Sequence, residues 1–226
     1  SVVVFNNGED SSAVLKGFTI QEGSGELITT FNTLKGGGIY CLNSSPTFTN
    51  LIIKNNILSG GLTPTEGGGF YFENSSSSVS NSNIHSNDGE NGGAFHLNNS
   101  SITLNNCLIY NNSSNSGPFI DAYSNSSAFI NNSLIFNNNA NSGGIINSNF
   151  NCYFSIIQTS IVFNNSGYNA ISLYSSNADI LNSIIYSNTL TSDPLSGSFN
   201  VKYSNIEYGN ISFPYWNINI GNIDVD

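Results

Sequence analysis

The stretch Asn106-Cys107-Leu108-Ile109-Tyr110-Asn111-Asn112 returns one repeat later as Asn132-Ser133-Leu134-Ile135-Phe136-Asn137-Asn138. Its central apolar residue recurs at Ile20, Ile53, Ile84, Ile109, Ile135, Val162, Ile185 and Ile206, in steps of about 21 to 33 residues. A period this long and this uneven suits one three-strand turn of a parallel β-coil and is too irregular for a helical repeat.

Other columns keep the same frame. Five residues before each anchor stand Leu15, Phe48, Val79, Leu104, Ile130, Ile157, Ile180 and Val201, all apolar. Three before it stand Asn50, Asn81, Asn106, Asn132, Thr159 and Asn182, with Gly17 and Tyr203 in the end repeats. Three after it stand Asn56, Asn87, Asn112, Asn138, Asn165 and Asn188, with Gly23 and Gly209 at the ends. Asn tolerates left-handed backbone at a sharp corner, and its amide both donates to and accepts from an identical neighbour one turn away. The last column is therefore expected to be a structural ladder, and chance composition does not place five Asn of eight in the first of these columns and six of eight in the second.

Each repeat opens on a glycine corner and a short strand, as in Gly36-Gly37-Gly38-Ile39-Tyr40-Cys41, Gly67-Gly68-Gly69-Phe70-Tyr71-Phe72 and Gly92-Gly93-Ala94-Phe95-His96-Leu97. Period two turns Ile39 and Cys41, Phe70 and Phe72, and Phe95 and Leu97 inward, and Tyr40, Tyr71 and His96 outward. The expected fold is all-β, a right-handed parallel β-helix of about eight rungs, forming one domain over residues 1–226. Neither end shows an amphipathic capping helix, which fits a segment of a longer surface protein, a processed subunit, or rods that stack head to tail.

The Gly-Gly-Ala-Phe at 92–95, the Gly-Gly-Gly-Ile at 36–39 and the Asn-bearing second half of each repeat carry a resemblance. They look like the repeats of polymorphic outer-membrane proteins and related bacterial surface β-helices of the pectin-lyase-like superfamily. Phe129 to Asn132 and Phe136 to Asn139 keep that family's Phe-x-x-Asn phrase, whereas other repeats place Ile or Val before the Asn. The resemblance implies an extracellular or surface-displayed solenoid, and it does not imply an enzyme.

Charge narrows the function classes. Fourteen acids face four lysines (Lys16, Lys35, Lys54, Lys202), for a net charge of −10. Four scattered lysines form no basic patch, so nucleic acid is not an expected partner. No run of about 18 apolar residues spans a membrane as a helix. Cys41, Cys107 and Cys152 are odd in number and far apart, and read as small buried apolar residues rather than disulfides or metal ligands.

Sugar chemistry on such a scaffold needs clustered carboxylates, or a Lys or Arg base beside a cation. Counted from the anchors, Asp121, Asp179 and Asp193 lie at unrelated offsets, and Lys54 meets no carboxylate in its own column before Glu207. No catalytic residue and no cofactor is expected. Asp88 and Glu90 form the best acidic pair, but two carboxylates without a second acidic rung read as a solvated corner, so no metal is expected either. His85 and His96 are expected as exposed strand residues. The sequons at Asn43, Asn74, Asn98, Asn99, Asn125 and Asn210 are what an Asn- and Ser-rich chain produces.

One surface stands out. Beside the anchors, Leu108 with Tyr110, Leu134 with Phe136, Ile161 with Phe163, and Ile184 with Tyr186 are expected to leave the core as a contiguous apolar strip. A strip of that size is usually covered. The cover could be a loop of the same chain (Leu27 to Phe31, or Phe213 to Ile220 with Trp216), a neighbouring subunit or domain, or a glycan stacking on the rings. The expected function is a non-catalytic structural or adhesive β-helix outside the cell or on its surface, with self-association as the expected partnership. A carbohydrate-active or carbohydrate-binding β-helix is the alternative.

Overall fold

The computed structural model describes residues 1–58, 64–162, 165–186 and 188–206, and the backbone of 216–218. The chain winds as a parallel β-coil. One sheet runs Val3–Phe5, Ile39–Leu42, Phe70–Glu73, Phe95–Asn98, Ile120–Tyr123, Ile146–Asn149 and on into Ile171–Leu181. That long strand bends at Ser175, whose φ is 50°, and so joins a second run from Tyr153–Ile157 back to Val14–Lys16. A separate eight-stranded sheet carries the anchors. Every pairing among these strands is parallel; among the described residues the one antiparallel pair is the hairpin of Glu26–Ile28 with Thr33–Lys35.

The anchor register is Ile20, Ile53, Ile84, Ile109, Ile135, Ile161, Ile185 and Ile206, each the Cα partner of the next. One rung departs from the sequence expectation: Ile161, not Val162, takes the inward place and is fully buried. Ile156 likewise replaces Ile157 between Ile130 and Ile180, and Gln158 replaces Thr159 at the left-handed corner. The cause is one extra residue. Ile161 stands four positions before Asn165, whereas the other anchors stand three before their ladder Asn or Gly. In a strand, a one-residue slip exchanges the two faces.

Corners are made by residues that accept positive φ. Asn50, Asn81, Asn106, Asn132, Asn182 and Tyr203 do so at one corner, as expected. At the ladder corner the left-handed residue is instead the one before, namely Asn55, Ser86, Asn111 and Asn137, which frees the ladder Asn to point inward. At the glycine corner, Gly67 has φ 73°, and a side chain there would collide with the Phe70 carbonyl and the Tyr71 Cα. The preceding segment is thus laid against the outer face of the strand that follows it. The interior is one apolar column from Ile20 to Ile206, with Cys41, Cys107 and Cys152 buried and free.

Candidate functional site

The six ladder asparagines form a continuous chain along the axis. Nδ2 of Asn56 donates to Asn87 Oδ1 (2.9 Å), and the same bond runs Asn87 to Asn112 (3.0 Å), Asn112 to Asn138 (3.0 Å), Asn138 to Asn165 (3.1 Å) and Asn165 to Asn188 (2.7 Å). Each Oδ1 from Asn87 to Asn165 also accepts the backbone N–H of the preceding ladder residue. A second N–H of Nδ2 reaches an anchor carbonyl, such as Ile84 from Asn112. Asn56, Asn87, Asn112, Asn138 and Asn165 have no exposed surface, so these amides are committed to the fold.

The ionisable side chains gather elsewhere, in the column outside the first sheet. Tyr40, Tyr71, His96, Asp121 and Asn147 are successive Cα partners. They do leave the core, but Tyr40, Tyr71 and His96 are buried rather than exposed, because the glycine corners press the preceding segment onto them. Tyr71 stacks on Tyr40 (5.5 Å, 12°) and on His96 (5.3 Å, 3°). His96 Nδ1 lies 3.3 Å from Asp121 Oδ2, within ion-pair distance though not aligned as a hydrogen bond, and Asn147 Nδ2 donates to Asp121 Oδ1 (2.9 Å).

Lys35 reaches the same column from the antiparallel hairpin. Its ammonium donates to the Tyr71 hydroxyl (2.6 Å) and lies 3.4 Å from Glu73 and 3.5 Å from Glu66, while the Tyr71 hydroxyl donates to Glu73 (2.9 Å). Burial, followed by the charges of Glu66 and Glu73, pushes the Tyr71 phenol far above its usual range. Tyr40 is pushed up to about 12 by burial and then by Glu73. Lys, Tyr, His, Asp and Glu are the residue types of acid and base catalysis, but here they face one another beneath the surface, Lys35, Tyr71 and Glu73 through hydrogen bonds and His96 and Asp121 across 3.3 Å without one.

The sequence hid this column for a definite reason. His96 is 13 residues before Ile109 and Asp121 is 14 before Ile135, so the anchor frame puts them at different offsets. Counted from the glycine corner, both stand four residues after Gly92 and Gly117, as Tyr71 does after Gly67.

The chain matches the family described as a right handed beta helix region over residues 4–158, more than half its length. It belongs to that family of right-handed β-helices. No curated protein and no solved structure matches it.

On this β-helix the apolar strip is less continuous than expected. Leu108 and Ile184 are exposed, Leu134, Tyr110, Phe136 and Tyr186 are half-buried, and Phe163 lies outside the described residues. Ile161 belongs to the core, which leaves Ser160 between Leu134 and Ile184 and Val162 opposite Tyr186. The rings stack on one another: His85 on Tyr110 (4.6 Å, 10°) and Tyr110 on Phe136 (4.9 Å, 9°). Both faces of Tyr110 are therefore occupied within the β-helix, which leaves a sugar only the edge of that ring.

The expected covers are placed elsewhere or not described. The hairpin holding Leu27 to Phe31 pairs with Thr65–Glu66 and delivers Lys35 to Tyr71. Of Phe213 to Ile220, only the backbone of Trp216–Ile218 is described, and it pairs with Phe199–Val201 in another sheet. Asp88 is exposed at its corner, and among the described residues no three His, Cys, Asp or Glu side chains converge as metal ligands. No helix among them is long and apolar enough to cross a membrane.

Proposed function

We propose that this β-helix is a non-catalytic structural or adhesive element that works outside the cell or on its surface. The observation that carries the reading is the fate of the ionisable groups. Lys35, Tyr71, Glu73, His96 and Asp121 are paired with one another between rungs, and His96 and Asp121 are closed off from solvent. What the rod offers instead is an outer surface rich in Asn and Ser whose amides bond along the axis, as Asn74 does to Asn43 and Asn106 to Asn81. A surface of this kind suits a stiff spacer or a display face. Purified protein incubated with neutral and acidic polysaccharides should release no reducing ends and no unsaturated uronates. Turnover that disappears in His96→Gln or Lys35→Met would overturn the reading in favour of an enzyme.

Self-association belongs to the same reading. Val3 and Phe5 face the interior yet are only half-buried, where Ile39 and Cys41, their partners one rung on, are fully buried. Val2, Val14 and Phe18 are exposed nearby. A further rung, from the same or a second chain, would cover this end and satisfy its open strand edge. Sedimentation should show concentration-dependent growth that Val3→Glu suppresses. A monomer at all concentrations would overturn the second-chain version.

A further inference from the structure

Two corners of the coil hold an asparagine in the left-handed region in most rungs. At the first, Asn43, Asn74, Asn99 and Asn125 have φ of 51°, 51°, 48° and 61°. At the second, Asn50, Asn81, Asn106, Asn132 and Asn182 have φ of 54°, 50°, 56°, 45° and 50°. A buried residue follows each one: Ser44, Ser75, Ser100 and Ser126 at the first, and Leu51, Ser82, Cys107, Ser133 and Ser183 at the second. The corners differ in the residue after that. It is Ser45, Ser76, Ser101 and Ser127 at the first, but Ile52, Asn83, Leu108, Leu134 and Ile184 at the second. So these four first-corner asparagines lie in Asn-Ser-Ser, the fifth left-handed one at that corner, Asn151 (φ 61°), being followed by Cys152 and Tyr153, and none of these second-corner ones lies in Asn-x-Ser or Asn-x-Thr. Composition acts on both corners of the same rungs alike and does not explain the contrast.

Geometry adds a second observation. Asn43, Asn74, Asn99 and Asn125 are all exposed, and the first corner borders an open groove of about 370 Å³ along the axis, lined by Ser45, Asn74, Ser76, Asn99, Ser101 and Ser127 among others. We propose that this edge is an acceptor row for N-linked glycans. In the transfer, Nδ2 attacks the anomeric carbon of a lipid-linked oligosaccharyl diphosphate. The N–C bond forms as the C–O bond to the diphosphate breaks; the amide nitrogen gives up one proton, and the lipid diphosphate departs with the electron pair. The modified amide keeps one N–H. One is enough for the axial bonds seen here, Asn99 to Asn74 (2.8 Å) and Asn74 to Asn43 (3.2 Å).

Rung spacing limits occupancy. Neighbouring strands lie about 4.8 Å apart, too close for two branched sugars side by side. Sugars should therefore sit on no two adjacent rungs of one molecule. Asn112 supplies an internal control: it too begins an Asn-Ser-Ser run, but its amide is buried and fully bonded in the inner ladder.

The inference shares with the proposed function only the extracellular location, so the test fixes location independently. The full chain is secreted from a eukaryotic line behind an added signal peptide, and its peptides are mapped by mass spectrometry after enzymatic deglycosylation in heavy-oxygen water. The expected result is sugar on one or two of Asn43, Asn74, Asn99 and Asn125, never on adjacent rungs, and none on Asn112. The pair Ser76→Ala and Ser127→Ala should move all first-corner sugar to Asn43 and Asn99, and Ser76→Thr should retain Asn74. A folded, secreted chain bare at all four positions, or bearing sugars on adjacent rungs, would overturn the proposal. Locating the protein in its own cells by surface proteolysis tests the extracellular reading separately.

Discussion

His96 and Asp121 are Cα partners on adjacent strands, with Nδ1 3.3 Å from Oδ2 and the carboxylate wholly inaccessible to solvent. A buried carboxylate is tolerated only with partners, and here those are His96 and the amide of Asn147. His96→Phe preserves a ring between Tyr71 and Tyr123 but removes the nitrogen facing Asp121. Leaving a buried polar group without a partner costs about 1 to 3 kcal/mol. Urea denaturation should show that loss for His96→Phe and recovery of most of it in His96→Phe with Asp121→Leu. Additive losses in the double variant would show that the two side chains are not coupled.

The inner ladder makes a sharper case, because each member serves both neighbours. Asn112 accepts from the N–H and the Nδ2 of Asn87, and donates to Ile84 O and Asn138 Oδ1. Asn112→Ala strips partners from several buried groups at once, at about 1 to 3 kcal/mol for each one left unsatisfied. Thermal unfolding should place Asn112→Ala well below Asn188→Ala, since Asn188 is only half-buried at the far end of the row. Equal melting temperatures would mean that water replaces the amide at the interior position.

Much of the fold could be read from side-chain period alone. The apolar columns and the inner ladder recur at fixed distances from the anchor, because strand and corner between Leu104 and Asn112 have the same length as between Ile130 and Asn138. The buried ionisable column could not be read that way. Segment lengths differ between His96 and Ile109 and between Asp121 and Ile135, so a frame tied to one sheet loses register in the next. Alternation also says only which way Tyr71 and His96 point. That they are covered depends on Gly67 and Gly92 folding the preceding segment back onto them, a tertiary fact.

The slipped rung yields a direct test of register. Ile161 lies in the core between Ile135 and Ile185, whereas Ser160 faces outward between Leu134 and Ile184. Ile161→Ala removes a buried side chain and should cost about 2 to 5 kcal/mol. Ser160→Leu lengthens the outer apolar strip and should change stability by no more than about 0.5 kcal/mol, as a surface substitution does. Denaturation of the two variants decides the register; the reverse order of effects would put Val162 back in the core.

Alkaline titration reads the buried phenols. Burial first, and then neighbouring carboxylates, push Tyr40 and Tyr123 up to about 12, and Tyr71 higher still. Burial also raises the Cys41 thiol above its ordinary 9.0. A group whose folded pKa is raised binds its proton longer in the folded state, so its contribution to stability is complete below the unfolded value. For the thiol the loss starts near pH 9, and for the phenols near their ordinary 10.0. Over that window the unfolded chain releases protons that the folded chain keeps, and the equilibrium tilts toward unfolding until Tyr40 and Tyr123 ionise near pH 12. The urea midpoint should therefore hold steady from neutral pH to about pH 9 and then fall steadily. Tyr123→Phe should make that fall shallower, because its ring remains while its ionisable proton is gone. A midpoint that stays level through the whole alkaline range would show that these phenols are open to water, and with them the column that holds His96 and Asp121.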